Sequence, residues 1–477
     1  MRIQRSLAIA SILSLPLPCL LAQESSTSAT ARTEQPGNMT VEVVHEQPGA
    51  AAARLTVWVS YPTKDGYLMD QQQYLEDLAA RFRERGLAIG IVLPKPDALA
   101  VKKRNPRIVV ATPTEPDQLD NIRGMSCGIT AGTSGETKVV MRTLDTLVDT
   151  IEACLDGTFD RAANQQAEQA LQSLLTNIAD GGEFSPLVKR SLEVWPRSGR
   201  ARACAVLDEW WCHGDLTAAQ KAIDAGIKAL SNEAAPMATF VDLVLRGDDP
   251  DRRLAQRLAM AMAPVAASAN GTKTQLIYLR ALLLAGQDRV AGRIVATLPK
   301  RIAGKATQQL ILAETLMESS TPGAFRDLAE RLIQNADANG GNRKWVYATR
   351  HKMLKRCGDD EAAEKLMDAY RAKNLGTGLN NDAWYLIIQE PTMGRFDSLA
   401  LAQCEQMQRV EQVDYGSMDT IALAHFVNGK VKEAIEMQTK AAQDSQNDPV
   451  YVARLRRYKE KQAAIEARAV KNKKTKK

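Results

Sequence analysis

The sequence predicts an α+β protein, in which an N-terminal α/β domain precedes an all-α solenoid of helical hairpins. Between residues 55 and 142, short apolar runs surround an amphipathic helical stretch, as in a sheet covered by helices. From residue 165 onward the spacing of apolar residues becomes helical, and a turn glycine returns every 33 to 39 residues. This period indicates stacked hairpins, because a single hairpin cannot bury its own apolar face.

The first residues have the layout of an export signal. Arg2 and Arg5 precede an apolar stretch at 7–21, and Ala22 offers a small residue for signal peptidase. We therefore expect residues 1–22 to be a cleaved signal peptide and the mature chain to be periplasmic or secreted.

The apolar stretch is not expected to remain as a membrane anchor. It has 15 residues, interrupted by prolines within Pro16-Leu17-Pro18, whereas a membrane-spanning helix needs about 20. Lipidation of Cys19 is an alternative, although the small residues expected before a lipidated cysteine are missing. Residues 23–40 are rich in Ser, Thr and Ala, which predicts a disordered linker.

The charge of the chain is concentrated at its C-terminus. The net charge is +6, but the tail at 456–477 holds ten Lys and Arg against Glu460 and Glu466, so the remainder carries −2. A solvated helix end and an attachment to an anionic surface both fit such a tail. No aromatic residues alternate with the basic ones as nucleic-acid binding would favour, so we expect no nucleic-acid partner.

The cysteines predict no metal site, and no cofactor is expected. None of the six in the mature chain forms a C-x-x-C pair or has metal-ligand spacing. Cys204 and Cys212 lie in a helical pattern, where eight residues span about 12 Å. That distance exceeds what a disulfide bridges, so most of the cysteines are expected to be small buried apolar residues.

The repeats resemble tetratricopeptide units. The turn glycines are Gly214, Gly247, Gly286, Gly323, Gly358, Gly394 and Gly429. An alanine follows four of them by five residues, at Ala219, Ala291, Ala363 and Ala434, where the tetratricopeptide pattern has a small residue. The resemblance predicts an array over 161–455 that binds another protein. The units at Gly247 and Gly323 lack the alanine, which leaves a looser helical-hairpin solenoid open.

The N-terminal domain, over 41–160, has the element order of a redoxin. Strands are predicted at 55–61, 87–93, 106–111, 128–131 and 138–142, with helices at 67–85 and 144–155. The run Trp58-Val-Ser-Tyr61-Pro62 resembles the strand that leads to the redox site of thioredoxin-like thiol–disulfide oxidoreductases. The following helix and strand and the later hairpin also resemble that family.

The catalytic residues of that family are missing. The stretch that corresponds to the redox site, 61–70, has no cysteine, and Met125-Ser126-Cys127 replaces the expected proline loop. Without a thiolate, thiol–disulfide exchange has no first step. We therefore expect a non-catalytic scaffold or adaptor. The alternative is a thiol–disulfide or peroxide oxidoreductase that uses Cys127 or Cys154.

The resemblance to tetratricopeptide arrays also predicts a peptide-binding groove, lined by the first helix of each hairpin. Carried over by position, the groove residues are Trp211, Lys273, Arg280, Trp345, Lys352, Lys355, Arg356 and Phe426. Five of the eight are basic, so the middle of the groove is expected to attract a protein or peptide ligand with an acidic segment or a C-terminal carboxylate.

Overall fold

The structure is a computed structural model, and the described part of the chain consists of residues 33–34, 41–46, 53–60, 68–103, 106–115, 126–131, 137–141, 143–180, 185–209, 216–245, 252–268, 271–373, 379–388, 395–410 and 413–474. The predicted signal peptide lies outside these ranges.

The N-terminal domain is built on one sheet in which seven strands are described. They are β1 (Thr33–Glu34), β2 (Val41–His45), β3 (Leu55–Ser60), β4 (Leu87–Val92), β5 (Val109–Pro113), β6 (Ser126–Ala131) and β7 (Thr137–Met141). The strand order is β1-β2-β5-β4-β3-β6-β7. Strands β3, β4 and β5 are parallel, while β6 and β7 form an antiparallel hairpin beside β3.

Three helices belong to this domain, α1 (Leu68–Phe82), α2 (Lys95–Lys102) and α3 (Leu147–Asp156). Strands β3 and β4 are buried along their whole length, as parallel strands in the middle of a sheet are. The Trp58 ring covers Gly90 so closely that a Cβ there would lie 2.4 Å from the ring. The close approach therefore needs glycine.

The predicted elements of this domain are present with small shifts in their ends. Strand β5 begins at Val109, later than the predicted 106. The sequence prediction missed α2, the edge strand β1 and its neighbour β2. Strand β2 has five residues, of which only Val41 is fully buried, so no strong apolar pattern marks it.

The rest of the chain is helical. Its helices are α4 (Arg161–Asp180), α5 (Ser185–Val194), α6 (Gly199–Leu207), α7 (Leu216–Leu230), α8 (Ala234–Leu245), α9 (Arg252–Ser268), α10 (Thr272–Leu284), α11 (Asp288–Arg301), α12 (Ala306–Leu316), α13 (Arg326–Ala338), α14 (Arg343–Arg356), α15 (Asp360–Lys373), α16 (Leu379–Ile388), α17 (Asp397–Val410), α18 (Tyr415–Val427), α19 (Val431–Asp444) and α20 (Pro449–Lys474).

The turn glycines end the first helix of a hairpin where they are described. Gly286, Gly358 and Gly429 have positive φ angles of 69°, 79° and 84°, a conformation that glycine adopts without a Cβ penalty. After each, the next N–H donates to the carbonyl five residues earlier, as from Gln287 to Leu282 at 2.9 Å. Gly323 instead lies in a 3₁₀ turn, Pro322–Phe325. The remaining three turn glycines fall outside the described residues.

The predicted small positions are the close contacts of the hairpins. Ala219, Ala291, Ala363 and Ala434 are all buried, so the two helices of each hairpin can approach closely. In the unit at Gly323 the buried alanine is Ala329, one residue later than the pattern expects. The extra residue is accommodated by the 3₁₀ turn.

The N-terminal domain is joined to the array by a buried polar interface. Asp145, just before α3, accepts hydrogen bonds from the Ser198 hydroxyl and from the N–H groups of Gly199, at 2.8 Å, and Arg200, at 3.2 Å. It therefore caps the first turn of α6 from the other domain. Arg197 is paired with Asp149 at 2.6 Å and also with Glu152.

The last helix of the array extends into the predicted basic tail. Helix α20 begins at Pro449 and continues through the predicted tail boundary at 456 to Lys474. Its Tyr458 ring is buried and stacks on Phe426 with centroids 4.2 Å apart. The first turns of the predicted basic tail are therefore part of the packed array.

Candidate functional site: the inner face of the helical array

The array has an inner face, formed by the even-numbered helices α8, α10, α12 and α14. Each of these helices contacts the next, whereas the described parts of α9, α11 and α13 make no comparably close contacts with one another. An array whose first helices are closer together than its second helices curves toward the first. The term inner face is used below for this surface.

A line of paired charges crosses the inner face. Arg280 of α10 lies 3.8 Å from Asp242 of α8 and 4.0 Å from Glu318, which follows α12. Lys352 of α14 donates to the same Glu318 oxygen at 2.7 Å. The Glu318 side chain is 4% exposed, and both cations are 22% exposed. Two cations, from the hairpins on either side of the one that carries Glu318, therefore converge on one buried carboxylate.

A second carboxylate, Glu314, lies one helical turn before Glu318. It accepts hydrogen bonds from the Trp345 indole N–H at 2.7 Å and from the Thr349 hydroxyl at 3.2 Å. Arg395, from the segment before α17, donates to its other oxygen at 2.8 Å and lies over the Trp345 ring, 4.1 Å from the centroid. Burial raises the pKa of Glu314, but the charges of Arg395 and Lys352 outweigh it, so the net effect is a lowered pKa.

In the structure, only some of the predicted groove residues lie on the inner face. Arg280, Trp345 and Lys352 lie together on the inner face. Arg356 instead caps the end of α12, donating to the carbonyl oxygens of Met317 at 2.8 Å and Ser319 at 3.2 Å. The exposed Lys355 pairs with Asp360 of the following helix. These two basic side chains therefore serve the packing of neighbouring helices.

The other predicted groove residues lie elsewhere. Phe426 is covered by α20, so its side chain belongs to the core and not to an open binding surface. The position count from the turn glycines took no account of the packing of α20. Lys273 is exposed in the first turn of α10. Trp211 lies outside the described residues.

The middle of the inner face is an ion-paired network, which corrects the prediction of a basic groove. Arg280, Lys352 and Arg395 are matched by Asp242, Glu314 and Glu318. The position count did not include the unit at Gly323, so it missed both glutamates; the 3₁₀ turn also shifts the register of that unit by one residue. The signal that remained in the sequence was the spacing of four between Glu314 and Glu318, which puts both on one side of a helix.

The cysteine of the alternative redox mechanism is buried in the sheet. Cys127 of β6 is 0% exposed, and burial raises the pKa of its thiol to about 12. At neutral pH this side chain is a protonated thiol, which is a poor nucleophile. Cys154, on α3, is half-buried.

None of the helices in the described ranges combines the length and the apolarity needed to cross a bilayer. No group of three or more His, Cys, Asp and Glu side chains within these ranges lies close enough to hold a metal ion.

Comparisons with known proteins add little to this geometry. No protein-family model and no curated protein matches the sequence. Among solved structures, a tetratricopeptide repeat protein from Parabacteroides merdae ATCC 43184 overlaps with 54% of this chain and 98% of that chain, at 10% identity and a TM-score of 0.25. A likeness that weak carries no argument. The class assignment instead follows from the hairpins themselves, whose turns and buried alanines make this part of the chain an array of stacked helical hairpins.

Proposed function

We propose that this protein is an exported, non-catalytic scaffold that binds an extended segment of a partner protein on the inner face of its array. The observation that carries the proposal is the convergence of Arg280 and Lys352 on Glu318. The two cations come from different hairpins and remain partly exposed. A partner carboxylate, from an acidic side chain or a C-terminus, would replace Glu318 between them.

The N-terminal part of the proposal is a thioredoxin-like domain without thiol chemistry. The order β4-β3-β6-β7, with β3 and β4 parallel and β6 and β7 antiparallel, supports that assignment. Most of the stretch that corresponds to the redox site, 61–70, lies outside the described residues, which resume at Leu68, so the missing cysteine there is an observation from the sequence. The buried thiol of Cys127 gives the oxidoreductase alternative no support.

Export is proposed from the sequence of residues 1–22. The test is N-terminal sequencing of the full-length chain expressed in a bacterium, with fractionation of the cells. A mature chain that begins at Gln23 in the periplasm or medium is expected. An intact N-terminus in the cytoplasm would exclude this part of the proposal.

The binding proposal is tested with ligands selected from a random peptide library on the full chain. Their affinities are then measured for Lys352→Gln and for Arg350→Gln. The two residues are on the same helix and similarly exposed, at 22% and 28%, and each pairs with a glutamate. The control Arg350 pairs with Glu330 of α13, away from the inner face.

Loss of a charge-assisted hydrogen bond costs about 1.5–3 kcal/mol, which corresponds to about 10- to 100-fold in affinity. We expect that loss for Lys352→Gln and little change for Arg350→Gln. Removing the competing carboxylate with Glu318→Gln should instead strengthen binding. If Lys352→Gln and Arg350→Gln bind the selected peptides with equal affinity, the inner face is excluded as the carboxylate site.

A further inference from the structure

The side chain of Arg395 occupies the inner face from a distant part of the chain. It is separated from Glu314 by 81 residues and precedes α17, yet it binds between α12 and α14. The Arg395 side chain is 17% exposed and that of Glu314 is 12% exposed, so the contact is largely buried but reaches the surface of the array. The guanidinium donates to the Glu314 carboxylate and lies over the face of the Trp345 indole.

The two residues that contact Arg395 in this way belong to α12 and α14. The Trp345 indole and the Thr349 hydroxyl both donate to Oε1 of Glu314, which fixes the carboxylate and directs Oε2 toward Arg395. The carboxylate, the indole and the hydroxyl are thus held by one another, independently of Arg395. We define these three residues, Glu314, Trp345 and Thr349, as the guanidinium pocket.

We propose that the guanidinium pocket binds an arginine side chain of the partner segment, and that Arg395 occupies it in the free protein as an internal competitor. A guanidinium is the side-chain group that suits both the Glu314 carboxylate and the Trp345 indole, because it is planar, stacks on aromatic faces and donates to carboxylates from a rigid fork. An ammonium would satisfy the carboxylate but would lack the stacking contact.

The position of the pocket also specifies the partner sequence, a step that rests on the proposed function. Glu314 and Glu318 are one helical turn apart, which is about 6 Å. In an extended peptide, residues i and i+2 point to the same side and lie about 6.6 Å apart. A segment with an arginine and an acidic residue separated by one residue would therefore place its guanidinium in the pocket and its carboxylate between Arg280 and Lys352.

The experiment uses N-acetyl-arginine amide as the probe, because it has a guanidinium but no carboxylate. Its binding to the full chain is measured by titration calorimetry for the wild type and for Arg395→Ala. N-acetyl-citrulline amide, which has a similar shape but no charge, is the control ligand. Since the probe makes no use of Arg280 or Lys352, its result is independent of the carboxylate test in the previous subsection.

Opening the pocket with Arg395→Ala should raise the affinity for the arginine probe at least 10-fold over the wild type, with no gain for citrulline. Adding Glu314→Gln should abolish the gain. The matched control is Arg371→Ala, because Arg371 is similarly buried at 11% exposure and pairs with Glu405 and two further carboxylates. No gain is expected there.

If Arg395→Ala binds the arginine probe no more tightly than the wild type does, the proposal is overturned. An equal gain in affinity for Arg371→Ala, or for the citrulline ligand, would also overturn it. Arg395 would then have a structural role only, which is to connect two parts of the array. Should Arg395→Ala not fold, Arg395→Lys provides the same test, since its ammonium cannot stack like a guanidinium and should be displaced more readily. If the arginine probe binds Arg395→Lys no better than the wild type, the proposal fails.

Discussion

The interface between the two domains predicts a large effect for Asp145→Ala. The side chain of Asp145 is 3% exposed, and it accepts from the hydroxyl of Ser198 and from two N–H groups of α6. Loss of the helix cap costs about 1 kcal/mol, and each buried donor left without an acceptor costs about 1–3 kcal/mol. Two of the donors, the Ser198 hydroxyl and the Gly199 N–H, are fully buried, so together these contributions give a loss of about 3–7 kcal/mol in the free energy of unfolding.

The same residue predicts the pH dependence of that loss. Burial raises the pKa of Asp145 from 3.8 to about 6, although the hydrogen bonds from Ser198 and α6 act in the opposite direction. Because the folded pKa is above the unfolded one, the folded state binds the extra proton, and stability increases as the pH falls through 6. Between pH 7 and pH 5 this adds about 1 kcal/mol to the wild type, and nothing to Asp145→Ala.

The assay is urea unfolding of the full chain, followed by circular dichroism at pH 7 and pH 5. Asp156→Ala is the control, because Asp156 is at the other end of α3 and forms an exposed ion pair with Arg85. It should change stability by less than about 1 kcal/mol. The reasoning is refuted if Asp145→Ala is no more destabilising than the control, or if its effect is the same at both pH values.

Three further predictions concern other parts of the chain. Phe426→Ala should lower the free energy of unfolding by about 3–5 kcal/mol and make α20 sensitive to limited proteolysis, while Tyr385→Ala, 53% exposed, should do neither. In thermal melts, Gly199→Ala should destabilise the protein by at least about 2 kcal/mol, because the new Cβ would lie 1.9 Å from the Pro236 oxygen. The control Gly292→Ala in α11 meets nothing within 4 Å and should be neutral or stabilising. Iodoacetamide at pH 8 should label the half-buried Cys357 before the buried Cys127 and Cys404, as mass spectrometry of the native protein can measure; faster labelling of Cys127 would contradict its burial.

Local patterns in the sequence predicted much of the fold. Strand β3 alternates like a β-strand, strand β4 is a continuous apolar run, and the turns at Gly286, Gly358 and Gly429 need a residue with positive φ, so these features were visible without tertiary information. Strand β2 was not, because its pairing with β5 depends on residues 65 positions or more away. The role of α20 was hidden by its basic composition.

The candidate site was only partly predictable. Counting from the turn glycines found Arg280, Trp345 and Lys352, which the structure brings together. It was not applied to the unit at Gly323 and so did not find Glu314 and Glu318. In that unit one extra residue in the turn also changes which side of the helix faces inward. The contact of Arg395 with Glu314 joins two distant hairpins, and no local pattern encodes such a contact.

Photo-crosslinking of a selected peptide ligand tests the central claim most directly. A ligand that carries a benzophenone side chain is irradiated in complex with the full chain, and the crosslinked residues are mapped by mass spectrometry. Binding on the inner face predicts adducts on α10, α12 and α14. Adducts confined to α11 and α13, or to the N-terminal domain, would contradict it.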